Sequence, residues 1–413
     1  MRIIPFTGKG GVGKTTTAAA SAVQAARAGI RTLVMSTDAA HSLGDTLDRD
    51  LDGPGPVQVE PHLHALQVSS TRTVNASWRT VQDYLLAVLG NVGVDPVVAE
   101  ELTSLPGAEE IAALLEVRAQ VESGQWDLVV VDCAPTAETL RLLALPEALA
   151  WHLERLLPGQ RALLRTFRPA AAAATGMPLP GPAVLETVQR WSARMRDVQE
   201  LLTSEWASVR LVLTPERVVI AESRRTWTSL SLYGFVVDQV VVNRIFPDAA
   251  ADARGKARAD PWRSAWNTAQ REGLVEVADS FAGIPIVTSP YLTREPVGLD
   301  ALGELARARG ADDLATLLDP VRTPGLTVRR AGEEYVLTLP LPLVGAAEVD
   351  LKRRGADLLV VVGEHRRVLT LPAALRRCVV RSAAVRAGTL KVRFVPDEAA
   401  WPTNGPLRRE ATA

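Results

Sequence analysis

The chain has 413 residues, 47% of them hydrophobic, with 46 basic and 47 acidic side chains and a formal net charge of −1. That length fits two or three domains around a large core, and so even a charge balance, with no dominant basic block, argues against nucleic acid as a partner. Two cysteines, Cys133 and Cys378, allow neither a disulfide framework nor a Cys-x-x-Cys zinc pair, so no zinc is expected.

The first predicted element is a strand over the apolar run Ile3–Phe6, in which Pro5 is awkward because it cannot donate a ladder hydrogen bond. Residues 8–15 follow as Gly-Lys-Gly-Gly-Val-Gly-Lys-Thr, and they open the alanine-rich helical stretch Thr16–Arg27. Strand, glycine-rich loop and helix is the context in which the Gly-x4-Gly-Lys-[Ser/Thr] pattern binds phosphate. Gly8, Gly10, Gly11 and Gly13 let successive amides turn inward on phosphate oxygens, and the helix N-terminus adds partial positive charge. Lys14 is placed to reach the β- and γ-phosphates, and the Thr15 hydroxyl to ligate Mg2+. Lys9 is surplus to the pattern. Only five of the 46 basic residues are lysine, and two of those five lie in this loop. Read alone, Lys9 fits a solvated loop residue equally well. The loop starts eight residues from Met1, which leaves no room for a secretory leader, and no apolar stretch is long enough to span a bilayer; the expected location is cytoplasmic.

Short, continuous, β-branched runs recur at Thr32–Met35, His64–Val68, Leu128–Val131, Arg210–Leu213, Gln239–Val242 and Pro285–Val287, with helical stretches between several of them. They predict buried strands of a doubly wound, mostly parallel α/β sheet whose ligands sit at the carboxyl ends of the strands. Two leucine-rich stretches at helical spacing, 72–123 and 137–207, interrupt the alternation and predict a helical insertion. Leu142, Leu143, Leu145, Leu149, Leu153, Leu156 and Leu157 mark a stripe, with Pro146 near the start of its second helical piece and Pro158 after its end, which fits internal core as well as a binding surface. Pro169–Pro182, rich in alanine, proline and glycine, is expected to be mobile.

Character changes near Leu318. Residues 1–318 are expected to form the α/β domain and 319–325, with two prolines and a glycine, a linker. Short alternating strands at Glu334–Leu339, Glu348–Arg353, Asp357–Val362, Arg367–Thr370 and Thr389–Phe394 predict a small all-β domain over 326–396, followed by a disordered tail at 397–413.

Polar residues that look chemical follow the strand ends. Asp38 opens Asp-Ala-Ala-His-Ser-Leu, Asp132 opens Asp-Cys-Ala-Pro-Thr, and Asn243 closes the run Gln239–Val242. An aspartate at a strand end beside a phosphate loop holds the Mg2+ shell, and a second carboxylate can orient or deprotonate water. Asp132 is assigned to the metal shell, through water, and Asp38 to the attacking water. Helix capping is the alternative for either. His41 has no neighbouring histidine or cysteine, so a hydrogen-bonding switch residue suits it better than a metal ligand; Cys133 reads as shielded and inert.

Seven segments taken together resemble the arsenite-pump and tail-anchored-protein-targeting ATPases: residues 9–16, 38–43, 106–110, Asp-Cys-Ala-Pro-Thr-Ala-Glu-Thr-Leu-Arg at 132–141, Thr-Pro-Glu-Arg at 214–217, Val-Asn-Arg at 242–244, and Pro-Tyr-Leu-Thr-Arg-Glu-Pro-Val-Gly at 290–298. These are deviant Walker A ATPases, whose signature lysine reaches across a dimer. The resemblance implies ATP with Mg2+ on Gly8, Lys9, Gly10, Gly11, Val12, Gly13, Lys14, Thr15 and Thr16, with Thr15 and Asp132 toward the metal. It makes Lys9, Lys14 and Asp38 the catalytic residues, and Asn243 and Pro290 the adenine contacts. The sequence departs from the family pattern at Ala39, where proline is usual, and at Cys133, Ala137 and Glu138, where threonine, glycine and histidine are common. Leu339-Pro340, Leu371-Pro372 and Ala387-Gly388-Thr389-Leu390-Lys391-Val392 look similar to an α-crystallin, or small heat-shock, domain.

Since arsenite-pump subunits carry two phosphate loops in tandem and this chain has one, the resemblance implies a homodimer that ATP closes and hydrolysis opens. The leading expectation is a switch ATPase that shields or targets a hydrophobic client protein through a nucleotide-gated groove in the helical insertion, with peripheral contact to a membrane receptor. An arsenite- or antimonite-efflux ATPase is the first alternative, and a nucleotide-binding chaperone module with dispensable hydrolysis the second.

Overall fold

The computed structural model describes residues 1–37, 42–53, 55–68, 108–133, 182–247, 261–310, 317–321 and 325–397, with scattered positions between 82 and 95. It divides into two compact units, Met1–Thr226 with Phe235–Arg322, and Trp227–Gly234 with Thr323–Ala413.

An eight-stranded sheet forms the first unit. Its strands are β1 (Arg2–Thr7), β2 (Thr32–Ser36), β3 (Val57–Glu60), β4 (Leu63–Gln67), β5 (Leu128–Asp132), β6 (Val209–Leu213), β7 (Val237–Ile245) and β8 (Ile286–Pro290), in the order β3-β4-β2-β5-β1-β6-β7-β8. Neighbours run parallel except β3 and β4. Every residue of β1, β2, β5 and β6 is buried. A sheet covered on both faces has no solvent side to alternate toward, and the continuous apolar runs follow from that.

Pro5 does sit in the central strand. Ile3 exchanges backbone bonds with the β6 side, donating to Trp206 at 2.9 Å and accepting from Ser208 at 3.2 Å. Two residues on, Pro5 faces the same side with no N–H to give. Continuous register with β6 accordingly covers only Phe6 and Thr7, whereas register with β5 runs from Arg2 to Phe6.

The helices of this unit are α1 (Lys14–Arg27), α2 (Ser42–Leu47), α3 (Ala108–Glu122), α4 (Pro182–Leu202), α5 (Arg217–Leu232, whose final turn belongs to the second unit), α6 (Pro261–Ser280) and α7 (Leu299–Arg309). Small residues let α1 lie close to its neighbours: Ala18, Ala19, Ala20, Ala22 and Ala25 are fully buried. On α7, Gly303 leaves room for Arg27, whose Nη1 lies 2.1 Å from where a Cβ would stand. Buried Arg309 donates to the Thr17 carbonyl at 3.3 Å and to Ser21 Oγ at 2.8 Å, tying α7 to the first turns of α1.

Within the predicted insertion, the described elements α3 and α4 pack on each other. Val117 and Val121 on α3, and Met195, Val198 and Leu202 on α4, are buried at three- and four-residue spacings. Arg118 pairs with Glu122 at 2.7 Å and with Asp197 at 2.5 Å. Proline suits the first position of α4, Pro182, because no intrahelical bond needs its missing N–H. The leucine stripe Leu142–Leu157 and the stretch from Pro169 to Gly181 lie outside the described residues. No described helix is long and apolar enough to cross a membrane.

Two antiparallel sheets make the second unit. One has the order β14-β15-β10-β9, from β9 (Thr327–Ala331), β10 (Glu334–Pro340), β14 (Cys378–Arg386) and β15 (Thr389–Pro396); the other is β11 (Val349–Arg354), β12 (Asp357–Val362) and β13 (His365–Thr370). A 3-10 turn, Ala346–Glu348, and the short α8 (Ala373–Arg376) connect them. Alternating strands face a core that includes Leu337, Leu339, Leu358, Val360, Val392 and Phe394. The segment Trp227–Gly234 joins that core through fully buried Leu232. Arg367 donates to the Leu232 carbonyl at 2.5 Å, and Tyr233 Oη to the Arg366 carbonyl at 3.2 Å.

Candidate functional site

Strand β1 has β5 on one side and β6 on the other, so the strand order reverses at it. In an open parallel sheet the crevice beyond the carboxyl end of such a strand is the binding position. The loop Gly8–Gly13 occupies that position and leads directly into α1.

Contacts fix the loop at two glycines. A Cβ on Gly8 would lie 2.0 Å from the Val212 carbonyl oxygen of β6. Gly13, the left-handed N-cap of α1 with φ 92°, has no room either, since its Cβ would fall 2.3 Å from Asn243 Nδ2. Asn243 Nδ2 in turn donates to the Val12 carbonyl at 2.9 Å, and the amide and hydroxyl of Thr17 both donate to the Gly13 carbonyl, at 3.0 and 2.7 Å. The loop is therefore braced from β6, β7 and α1. The amides of Lys14, Thr15 and Thr16 belong to the first turn, where no intrahelical acceptor exists, and they supply an anion site.

The two lysines differ. Lys14 is buried, 7% exposed, and its Nζ donates to the Lys9 carbonyl at 3.3 Å, which folds the ammonium over the loop. Lys9 stands on the rim with its side chain 37% exposed, 3.2 Å from Glu222 Oε2 on α5. Thr15 Oγ1 lies 3.3 Å from Ser42 Oγ at the start of α2. Asp132, the last residue of β5, is buried beside β2; Ser36 Oγ donates to its Oδ2 at 3.3 Å, and the Thr37 amide to its carbonyl at 2.9 Å. Loss of solvent pushes the thiol of Cys133 up to about 12; the Asp132 carboxylate adds to the shift and Lys14 opposes it.

Alongside the loop runs a cleft of about 320 Å3, bounded by Gly13, Thr16 and Asn243 on one wall and by Pro290, Tyr291 and Arg294 on the other. Pro290 ends β8 opposite Ile245 of β7, which carries the second wall to the end of the sheet. Tyr291 stacks on Phe246 with ring centroids 5.1 Å apart and planes 9° from parallel. Arg244, which also lines the cleft, holds φ 60°, a left-handed conformation that a side-chained residue adopts only when its surroundings impose it.

Of the expected site residues, Gly13, Thr16, Asn243 and Pro290 line one crevice, and Asp132 ends β5 beside β1. Asp38, Ala39 and His41 lie outside the described residues, as do Ala137 and Glu138. Three contacts escaped the sequence reading. Ser42 falls inside the quoted segment 38–43 and was within reach of it; Ser36 and Glu222 touch the site only through folding and carry no motif. Asn243 is expected as an adenine contact. It lines the cleft, but its amide nitrogen serves the Val12 carbonyl, so its visible work is bracing the loop.

Residues 1–308 match the family model described as Anion-transporting ATPase, and residues 332–394 match one described as an HSP20-like domain found in ArsA. The chain is 38% identical to an uncharacterized protein of Streptomyces coelicolor, over 97% of this chain and 99% of that one. It is 34% identical to a protein of Prosthecochloris vibrioformis named "Putative arsenical pump-driving ATPase", over 95% and 96% of the two chains. A "ATPase ASNA1 homolog" of Trypanosoma cruzi is 28% identical, over 73% of this chain and 88% of its own.

Proposed function

The chain belongs to the anion-transporting ATPase family and carries an HSP20-like domain, and on that premise we propose that it is a homodimeric, ATP-hydrolysing switch for a hydrophobic client protein. The observation that carries this reading is the division of the two loop lysines, Lys14 buried over its own loop and Lys9 on the rim with 37% of its side chain exposed. A lysine that serves its own nucleotide belongs where Lys14 is. One that serves a second subunit belongs where Lys9 is.

In this reading the amides of the loop and of the first turn of α1 bind the phosphates, and Lys14 neutralises charge on the γ-phosphate as it departs. Adenine lies in the cleft between Asn243 and Pro290. Hydroxyls at Thr15 and Ser42 and the buried carboxylate of Asp132 form a hard oxygen set, which suits Mg2+. Bound there, Mg2+ would supply Lewis-acid polarisation of the phosphoryl oxygens. Asp38 orients the attacking water. Helix α3 and the amphipathic α4 belong to the insertion that would open toward client.

The experiment is photo-crosslinking of a hydrophobic-helix peptide to the full chain and to Asp38→Asn, with and without ATP. Asp38→Asn is expected to keep nucleotide binding and lose on the order of 10²–10⁴-fold in turnover. Crosslinking to α3 or α4 is expected to depend on ATP. Equal labelling with and without ATP, or with the insertion deleted, would sink the client role; normal turnover by Asp38→Asn would sink the hydrolytic one.

A second reading, an efflux-pump ATPase, is favoured by the name of the Prosthecochloris vibrioformis relative. Thiol chemistry speaks against a metalloid site beside the loop: Cys133 is the one cysteine of the first unit, and a thiol pushed up to about 12 is not a thiolate near neutrality. Arsenite or antimonite titration separates the two, since only the pump reading expects stimulated hydrolysis.

A further inference from the structure

A carboxylate is out of place at the rim of an anion site. The loop works through amides, a helix N-terminus and two ammonium groups, and Glu222 beside it weakens the local positive field. Its geometry shows what it holds: Oε2 lies 3.2 Å from Lys9 Nζ, on the second turn of α5. We infer that Glu222 is a positioning residue that keeps Lys9 on its own subunit, as a rival to the phosphates of a partner's nucleotide. This rests on the homodimer reading above.

Chemistry favours the exchange once a second subunit arrives. A polyphosphate offers Lys9 several negative charges and more acceptor oxygens than one carboxylate does. Glu222 is not stranded by it, because exposed Arg225 stands three residues on along the same helix. Both members of the pair are more than a third exposed, so the hold is weak and salt-sensitive. Its strength corresponds to roughly a two- to fivefold bias. Such a bias delays engagement without blocking it.

The test compares the full chain with Glu222→Gln in two measurements. In the first, without nucleotide, a pulse of acetic anhydride labels lysines and the yield at Lys9 is read against Lys391, which is exposed in the second unit. In the second, sedimentation equilibrium with a non-hydrolysable ATP analogue gives self-association at low and high salt. Glu222→Gln is expected to raise Lys9 labelling, and to tighten association at low salt, each by about two- to fivefold, with the second difference vanishing at high salt. Unchanged Lys9 labelling overturns the inference. So does weaker association, which would make Glu222 part of the nucleotide site or of the interface. If labelling rises while neither protein associates, the homodimer reading has failed and the gating role falls with it, although the ion pair stands.

Discussion

At the residue scale the loop shows how much a motif leaves unsaid. Its glycines were legible as a pattern, yet the reasons lie in residues distant along the chain: Val212 forbids a side chain on Gly8, and Asn243 forbids one on Gly13. Lys9 was legible because lysine is scarce here, whereas Glu222 was not, since a single glutamate on a helix with no motif around it has nothing to mark it. Cys133, expected to be shielded, is partly buried, and its surroundings add a pH range. Its thiol ordinarily titrates near 9, and here only at about 12. The neutral thiol is thus favoured by the fold, and the associated stability is fully present below about 9 and lost as pH rises toward about 12. Alkylation of Cys133 by iodoacetamide should climb about tenfold per pH unit past 9, since it follows the thiolate fraction. A plateau near 9, read by peptide mass spectrometry, would contradict this.

At the scale of elements, what could be read depended on burial. All seven strands predicted for the sheet are present because continuous β-branched runs have few other uses. Strand β3 was missed, as were β9 and β14. Val57–Glu60 is short and half-exposed, Thr327–Ala331 has two arginines among five residues, and most of Cys378–Arg386 faces solvent, so none carries an apolar signature. The β14–β15 connection was also obscure: Ala387 and Gly388 both take positive φ, as a type I′ turn requires, but alanine is an unusual choice there. In the insertion, burial outweighs charge as the force between α3 and α4. Met195→Ala is expected to cost about 2–5 kcal/mol in urea unfolding. Asp197→Ala, which removes the half-exposed partner of Arg118, is expected to cost about 0–1 kcal/mol. The reverse order would show that the ion pair, not the apolar seam, joins the helices.

Over the whole molecule, an α/β domain could be told from a β domain by residue pattern, because alternation with period two replaces continuous runs after residue 326. It could not show that the β unit also draws on Trp227–Gly234, since nothing local in a helix end announces a distant partner. Leu232→Ala should therefore cost about 2–5 kcal/mol in the second unit. Hydrogen exchange is expected to quicken in β10 and β15 while β1 and β5 keep their protection; unaltered exchange in β10 would refute the role of Leu232. A discontinuous unit also imposes an order on biosynthesis. Leu232 leaves the ribosome well before β9 to β15, and at about 5–20 residues per second it waits several seconds with its apolar side chain uncovered. The nascent chain therefore passes through an interval in which the first unit can close around its sheet while the end of α5 remains sticky. Translation speed between Phe235 and Pro396 then sets how long that end is open to trapping by another chain.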